Sequence, residues 1–103
     1  MQAVDEILEN DICQAEVEIK NKDGLHMRPA MQFVDTASQF KAQVKVSDGE
    51  NEVDGKSIMQ MSMLAATCGT KLTVTAEGPD CNQAIEALRD LVESQMFNEP
   101  PPE

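Results

Sequence analysis

The chain has 103 residues, room for one domain and little else. Apolar residues make up 41%, and Phe33, Phe40 and Phe97 are the only aromatics, so aliphatic and methionine side chains must fill the core. Nineteen acids against eight bases leave a net charge of −11, which argues against nucleic acid and against anionic membrane surfaces as partners.

Met1 to Asn10 are acidic and carry no signal-peptide pattern, and no stretch approaches the ~20 apolar residues of a membrane span, so a cytoplasmic protein is expected. Over residues 1–12, Val4, Ile7, Leu8 and Ile12 recur at roughly helical spacing. A short helix or a disordered tail are both open there, since isolated helices of this length are marginal. Ala15, Val17 and Ile19 then alternate with Glu16, Glu18 and Lys20, the period of a half-buried strand over residues 15–20. A loop holding Asp23-Gly24 follows. From Pro29 the period changes: Ala30, Phe33, Val34 and Ala37 predict an amphipathic helix over residues 27–40, with proline in the tolerated first turn.

Ala42, Val44 and Val46 mark a second strand, Asp48-Gly49 a turn, and Glu50 to Val53 a short third strand. Ser57 and Gln60 match a capping box opening a short helix to about Thr67, with Gly69 suited to stop it. Leu72, Val74 and Ala76 alternate as the fourth strand. Asp80 with Gln83 matches a second capping box, and Cys81, Ala84, Ile85, Leu88, Leu91 and Val92 form a helical stripe to about Met96. Asn98 to Glu103, with three consecutive prolines, should be a frayed end. One polar face per strand and one apolar stripe per long helix predict a four-stranded sheet with solvent on one side and three helices on the other. Cys13, Cys68 and Cys81 fit no paired framework and no CxxC spacing, and are read as free thiols. The single histidine, His26, has no neighbours at zinc-ligand spacing, so neither a metal nor a cofactor is expected.

Only Gly24-Leu25-His26-Met27-Arg28-Pro29-Ala30 carries obvious chemistry. It sets an imidazole at the mouth of a helix, where unpaired amides and the helix dipole favour an anion. Arg28 adds a planar guanidinium able to grip phosphate oxygens. A neutral imidazole is a competent nucleophile and, being weakly basic, a good leaving group; that suits a carrier rather than a sink. Taken alone, a single histidine near a helix start is usually just a capping or surface residue.

Gly24 to Ala30 with Gln32-Phe33-Val34, then Gly55-Lys56-Ser57-Ile58-Met59 to Leu64 and Gly69-Thr70, then Ala76-Glu77-Gly78-Pro79-Asp80 leading into Ala84 and Leu88, resemble in order and spacing the HPr family of histidine-containing phosphocarriers of the bacterial sugar phosphotransferase system. The resemblance covers residues 14–96. It implies an α+β open-faced sandwich, βαββαβα, with a four-stranded antiparallel sheet and three helices on one face. The domain would span residues 14–97, between an acidic N-terminal extension over residues 1–13 and a Pro-rich tail over residues 98–103. It also implies that His26 accepts a phosphoryl group from phosphorylated enzyme I and gives it to an enzyme IIA domain, with Arg28 steadying it. The chain would then be a phosphohistidine intermediate rather than a stand-alone enzyme, and a monomer is expected. Ser57 carries over as the target of HPr kinase/phosphorylase where the organism has one. Met27, Ile58 and Met59 carry over to partner binding, Met27 standing where the family more often has a small residue.

Ser57 is also simply a helix N-cap, worth ~1 kcal/mol on replacement by Ala. Met59, Met61 and Met63 cannot all face one side of a helix and are expected to divide between core and surface. A regulatory HPr-like protein that controls kinases, transcription factors or metabolic enzymes without sugar transport is the alternative function.

Overall fold

The computed structural model describes residues 11–64 and 66–99. The segments expected as a weakly ordered N-terminus (residues 1–10) and as the proline run (residues 100–103) lie outside the described residues. In chain order the elements are β1 (Ile12–Glu18), α1 (Met27–Ala37), β2 (Gln43–Ser47), β3 (Glu52–Asp54), α2 (Ile58–Ser62), β4 (Lys71–Glu77) and α3 (Cys81–Arg89). A π-helical turn (Asp90–Ser94) continues α3, and a short left-handed turn (Met96–Asn98) follows it. The order is the expected βαββαβα.

The strands form one antiparallel sheet in the order β1-β4-β2-β3. Period-two alternation fixes the register wherever one face is buried, because a one-residue slip would turn every apolar side chain outward. Val17 thus pairs with Leu72, Val46 with Val74 and Val44 with Ala76, all within the core, while Glu16, Lys45 and Thr75 point to the polar face. The helices supply Ala30, Phe33, Ala37, Met61, Ala84, Ile85 and Leu88 to the same core. This is the open-faced sandwich.

Several boundaries differ from expectation. β1 begins at Ile12, so Ile12 and Cys13 belong to the sheet rather than to an extension. α1 stops at Ala37 instead of residue 40, because the amides of Ser38, Gln39 and Phe40 close a tight turn on Val34, Thr36 and Ala37. α2 is five residues long and does not reach Thr67. Met63 and Leu64 donate to Gln60 and Met61, and the Ala66 carbonyl is already taken by the Leu25 amide. Gly69 has φ +93° but sits in the Thr67–Thr70 turn before β4, away from the helix end.

The second capping box is not made. Asp80 caps nothing with its side chain. Its two oxygens instead accept from the amides of Lys41, at 2.8 Å, and Ala42, at 2.9 Å, and these bonds hold its carboxyl below the ordinary value. Nor are all the cysteines free: Cys13 in β1 and Cys81 at the start of α3 are joined as a disulfide, with Cα atoms 5.7 Å apart, and Cys68 remains an exposed thiol. A pair 68 residues apart leaves no spacing pattern to read.

Candidate functional site

Between β1 and α1 the chain is held down at alternate points. Ile19 and Leu25 are buried, and their amides donate to Thr70, at 2.9 Å, and to Ala66, at 2.8 Å. Gly24 between them has φ +73°, and a side chain there would meet the Ala66 carbonyl oxygen at 2.5 Å. Only glycine tolerates both demands. With Leu25 anchored inward, His26 falls at the N-cap of α1 in extended conformation (φ −84°, ψ −169°), its ring half outside, 43% exposed. It makes no side-chain cap, and α1 has no acid in its first turn. The positive end of the helix is therefore left for something else to satisfy.

A carboxylate reaches this mouth from the other end of the chain, and it meets the side chains of His26 and Arg28 rather than the helix amides. After the π-helical turn, Met96, Phe97 and Asn98 all take left-handed φ, 50°, 55° and 60°. Such a conformation is unfavourable by roughly 1–2 kcal/mol for a residue with a side chain, least so for Asn. Full burial of Phe97, worth about 1.5–3 kcal/mol, offsets part of that cost. Gln32 of α1 adds a bond from Nε2 to the Phe97 carbonyl at 3.3 Å. The reversal delivers Glu99 to His26. This residue was expected to fray with the tail, yet its side chain is 5% exposed.

Its carboxylate gathers three donors. His26 Nε2 lies 3.0 Å from Oε1 and 2.9 Å from Oε2. Arg28 reaches Oε2 through Nη2 at 3.2 Å and Nε at 3.3 Å. Asn21, itself fully buried, donates from Nδ2 to Oε1 at 3.0 Å and to the Gly24 carbonyl at 2.7 Å, while its Oδ1 finds no partner among the described residues. Burial alone would raise the Glu99 carboxyl; the bonds from His26, Asn21 and Arg28 reverse that and hold it below its ordinary value. An ionised carboxylate only accepts, so the ring nitrogen facing it carries the proton. In the neutral ring Nε2 is then N–H, and Nδ1 keeps its lone pair.

His26 and Arg28 thus meet at one anion, the Glu99 carboxylate. Asn21 and Glu99 were missed. The available signal was Phe97, a large apolar side chain just past the helical stripe, which had to be buried and would pull its neighbours with it. The fold also brings ligand atoms of Asp23, His26 and Glu99 within 4.8 Å of one another, a grouping that the sequence spacing did not show. A cation there would have to displace the Arg28 guanidinium from a carboxylate that is already saturated.

Ser57 is the N-cap of α2, and its Oγ accepts from the Gln60 amide at 3.3 Å. Gln60 does reach back, but to the Asp54 amide at 2.9 Å, while the Ser57 amide donates to the Asp54 carbonyl. Ile58 is half-buried against the core. The methionine run divides as expected, Met61 fully buried, Met59 and Met63 exposed. Met27 and Met31 of α1 are also exposed, so each of these two contacting helices shows an i, i+4 methionine pair to solvent.

A family profile described as the PTS HPr component phosphorylation site matches residues 13–94. The phosphocarrier protein HPr of Neisseria meningitidis is 47% identical over 76 residues, which cover 74% of this chain and 85% of that one. The multiphosphoryl transfer protein of Salmonella typhimurium is 35% identical over 91 residues, 85% of this chain but 24% of that longer protein. Among solved structures, HPr from Thermoanaerobacter tengcongensis superposes with a TM-score of 0.80 at 44% identity, covering 84% of this chain and 97% of the other.

Proposed function

The chain belongs to the HPr family of phosphotransferase-system phosphocarriers, and from that premise we propose that His26 takes a phosphoryl group from phosphorylated enzyme I and passes it to an enzyme IIA domain. The observation that carries this is the convergence of His26 and Arg28 on a single carboxylate at the uncapped mouth of α1. An imidazole and a guanidinium already arranged around one anion are arranged for another.

In the transfer, the Nδ1 lone pair forms the bond to phosphorus as the donor's bond to phosphorus breaks and its electron pair leaves with the donor. The phosphoryl oxygens are then met by the Arg28 fork and the first-turn amides of α1. The reverse step, with the IIA domain as nucleophile, regenerates the imidazole, a good leaving group. The protein is a stoichiometric intermediate and acts in the cytoplasm, as a monomer. Among the described residues no helix is long and apolar enough to cross a membrane.

Exposed Met27 and Met59, with half-buried Ile58, form the docking surface for both partners; flexible thioethers suit successive, different faces. Ser57, at the edge of that surface, is the site for HPr kinase/phosphorylase. A phosphoryl group there would add a charge of about −1.5 to −2 beside apolar contacts that must be desolvated on docking.

Incubation with phosphoenolpyruvate and enzyme I, followed by intact-mass measurement, tests the acceptor. The wild-type chain should gain one acid-labile phosphoryl group and His26→Ala none. Labelling that survives in His26→Ala would remove the assignment.

A further inference from the structure

We propose that Glu99 is the positioning residue of the transfer step: it holds the imidazole by Nε2–H and faces the positive charge that the ring acquires when Nδ1 takes the phosphoryl group. This rests on His26 being the acceptor and adds to it a carboxylate from the far end of the fold.

Attack by Nδ1 releases no proton. The lone pair becomes the bond to phosphorus, the proton stays on Nε2, and the ring becomes a cation. A carboxylate 2.9–3.0 Å from Nε2 binds that cation more tightly than it binds the neutral ring, so its effect grows along the reaction. A serine hydrolase uses its aspartate in the same way: the carboxylate sets the tautomer and stabilises the imidazolium without taking its proton.

The relative strengths of the three bonds decide which partner leaves. The phosphoryl group needs the Arg28 fork, and Arg28 holds Glu99 by the longest contacts, 3.2 and 3.3 Å, from a side chain that is 66% exposed and free to turn. Glu99 is 5% exposed and cannot follow. Buried Asn21, bonded to Oε1 at 3.0 Å and braced on the Gly24 carbonyl, keeps the carboxylate in place once the guanidinium has gone. Charges then pair off: Arg28 with the phosphoryl oxygens, Glu99 with the imidazolium.

Glu99→Gln tests this. A glutamine amide can turn its NH2 toward Nε2, which drives the ring proton to Nδ1 and occupies the nucleophile. With enzyme I and phosphoenolpyruvate, the maximal rate of phosphoryl acceptance should fall by roughly ten- to a hundredfold, the worth of one charge-assisted hydrogen bond. The half-saturating concentration of phosphorylated enzyme I should not change, because Glu99 is buried behind the ring. Glu99→Asp should recover part of the rate. Nitrogen-15 spectra of the folded, unphosphorylated proteins should show the proton on Nε2 in wild type and a rise in the Nδ1–H form in Glu99→Gln. If Glu99→Gln accepts as fast as wild type or faster, the carboxylate is only a competitor for Arg28 and the proposal fails. An unchanged tautomer in a slow Glu99→Gln also defeats it. If the wild-type chain takes no phosphoryl group on His26, the fault lies instead with the acceptor assignment.

Discussion

Two helix entrances in this molecule, at His26 and at Ser57, solve the same problem in opposite ways. The mouth of α2 closes on itself. Ser57, Gln60 and Asp54 exchange bonds within seven residues, and only their neighbours Gly55 and Lys56 donate farther away, to the Val44 and Phe40 carbonyls. The mouth of α1 is left without a side-chain cap of its own, and the charge around it is balanced by Glu99, 73 residues from His26. The α2 entrance has a side-chain cap in place, whereas the α1 entrance has none and can take an incoming anion. A phosphoryl group on Ser57 would arrive where the helix is already capped, so it would change the surface more than the fold.

That contrast can be broken most forcefully at Phe97. Phe97→Ala removes the buried anchor of the reversed segment and should destabilise the fold by about 3–5 kcal/mol, read from chemical denaturation. It should also release Glu99 from His26 while leaving the Ser57 cap intact, visible as loss of the His26–Glu99 contact in NMR spectra without change at Gln60. Next in size, Arg28→Lys keeps the charge but loses the fork, and phosphoryl acceptance should fall by roughly ten- to a hundredfold with the melting temperature little changed. Unchanged transfer in Arg28→Lys would show that the first-turn amides of α1 suffice. The smallest effect lies at the other entrance. Ser57→Ala should lose ~1 kcal/mol of stability and accept phosphoryl groups at the wild-type rate, whereas Ser57→Asp should stay folded and accept more slowly. A Ser57→Asp that accepts normally would leave this serine as a cap alone.

The strands were legible because alternation such as Leu72-Thr73-Val74-Thr75-Ala76 has one reading on a half-covered sheet. The motif from Gly24 to Ala30 was legible because its residues act within one turn of each other. What escaped was whatever depends on pairing over distance. Asp80 has the composition of an N-cap, but its oxygens are committed to Lys41 and Ala42. Cys13 meets Cys81 only because β1 and α3 pack together. Glu99 stands beside a proline run in an acidic stretch, a context that reads as a tail; only the burial of Phe97 makes it part of the site.

Strand order has a consequence for how the molecule comes to be. Among the described residues β1 is the first strand synthesised, and it pairs with β4, the last, from Ile12 against Glu77 to Glu18 against Lys71. Until β4 exists, β1 has no neighbour, and closing so long a loop carries an entropic penalty before any contact rewards it. β2 and β3 can meet locally and early. The contact of Glu99 with His26 spans a longer stretch still, 73 residues, and carries a larger loop-closure penalty than any pairing in the sheet. A nascent chain in which residue 99 has not yet been added presents the histidine without its carboxylate.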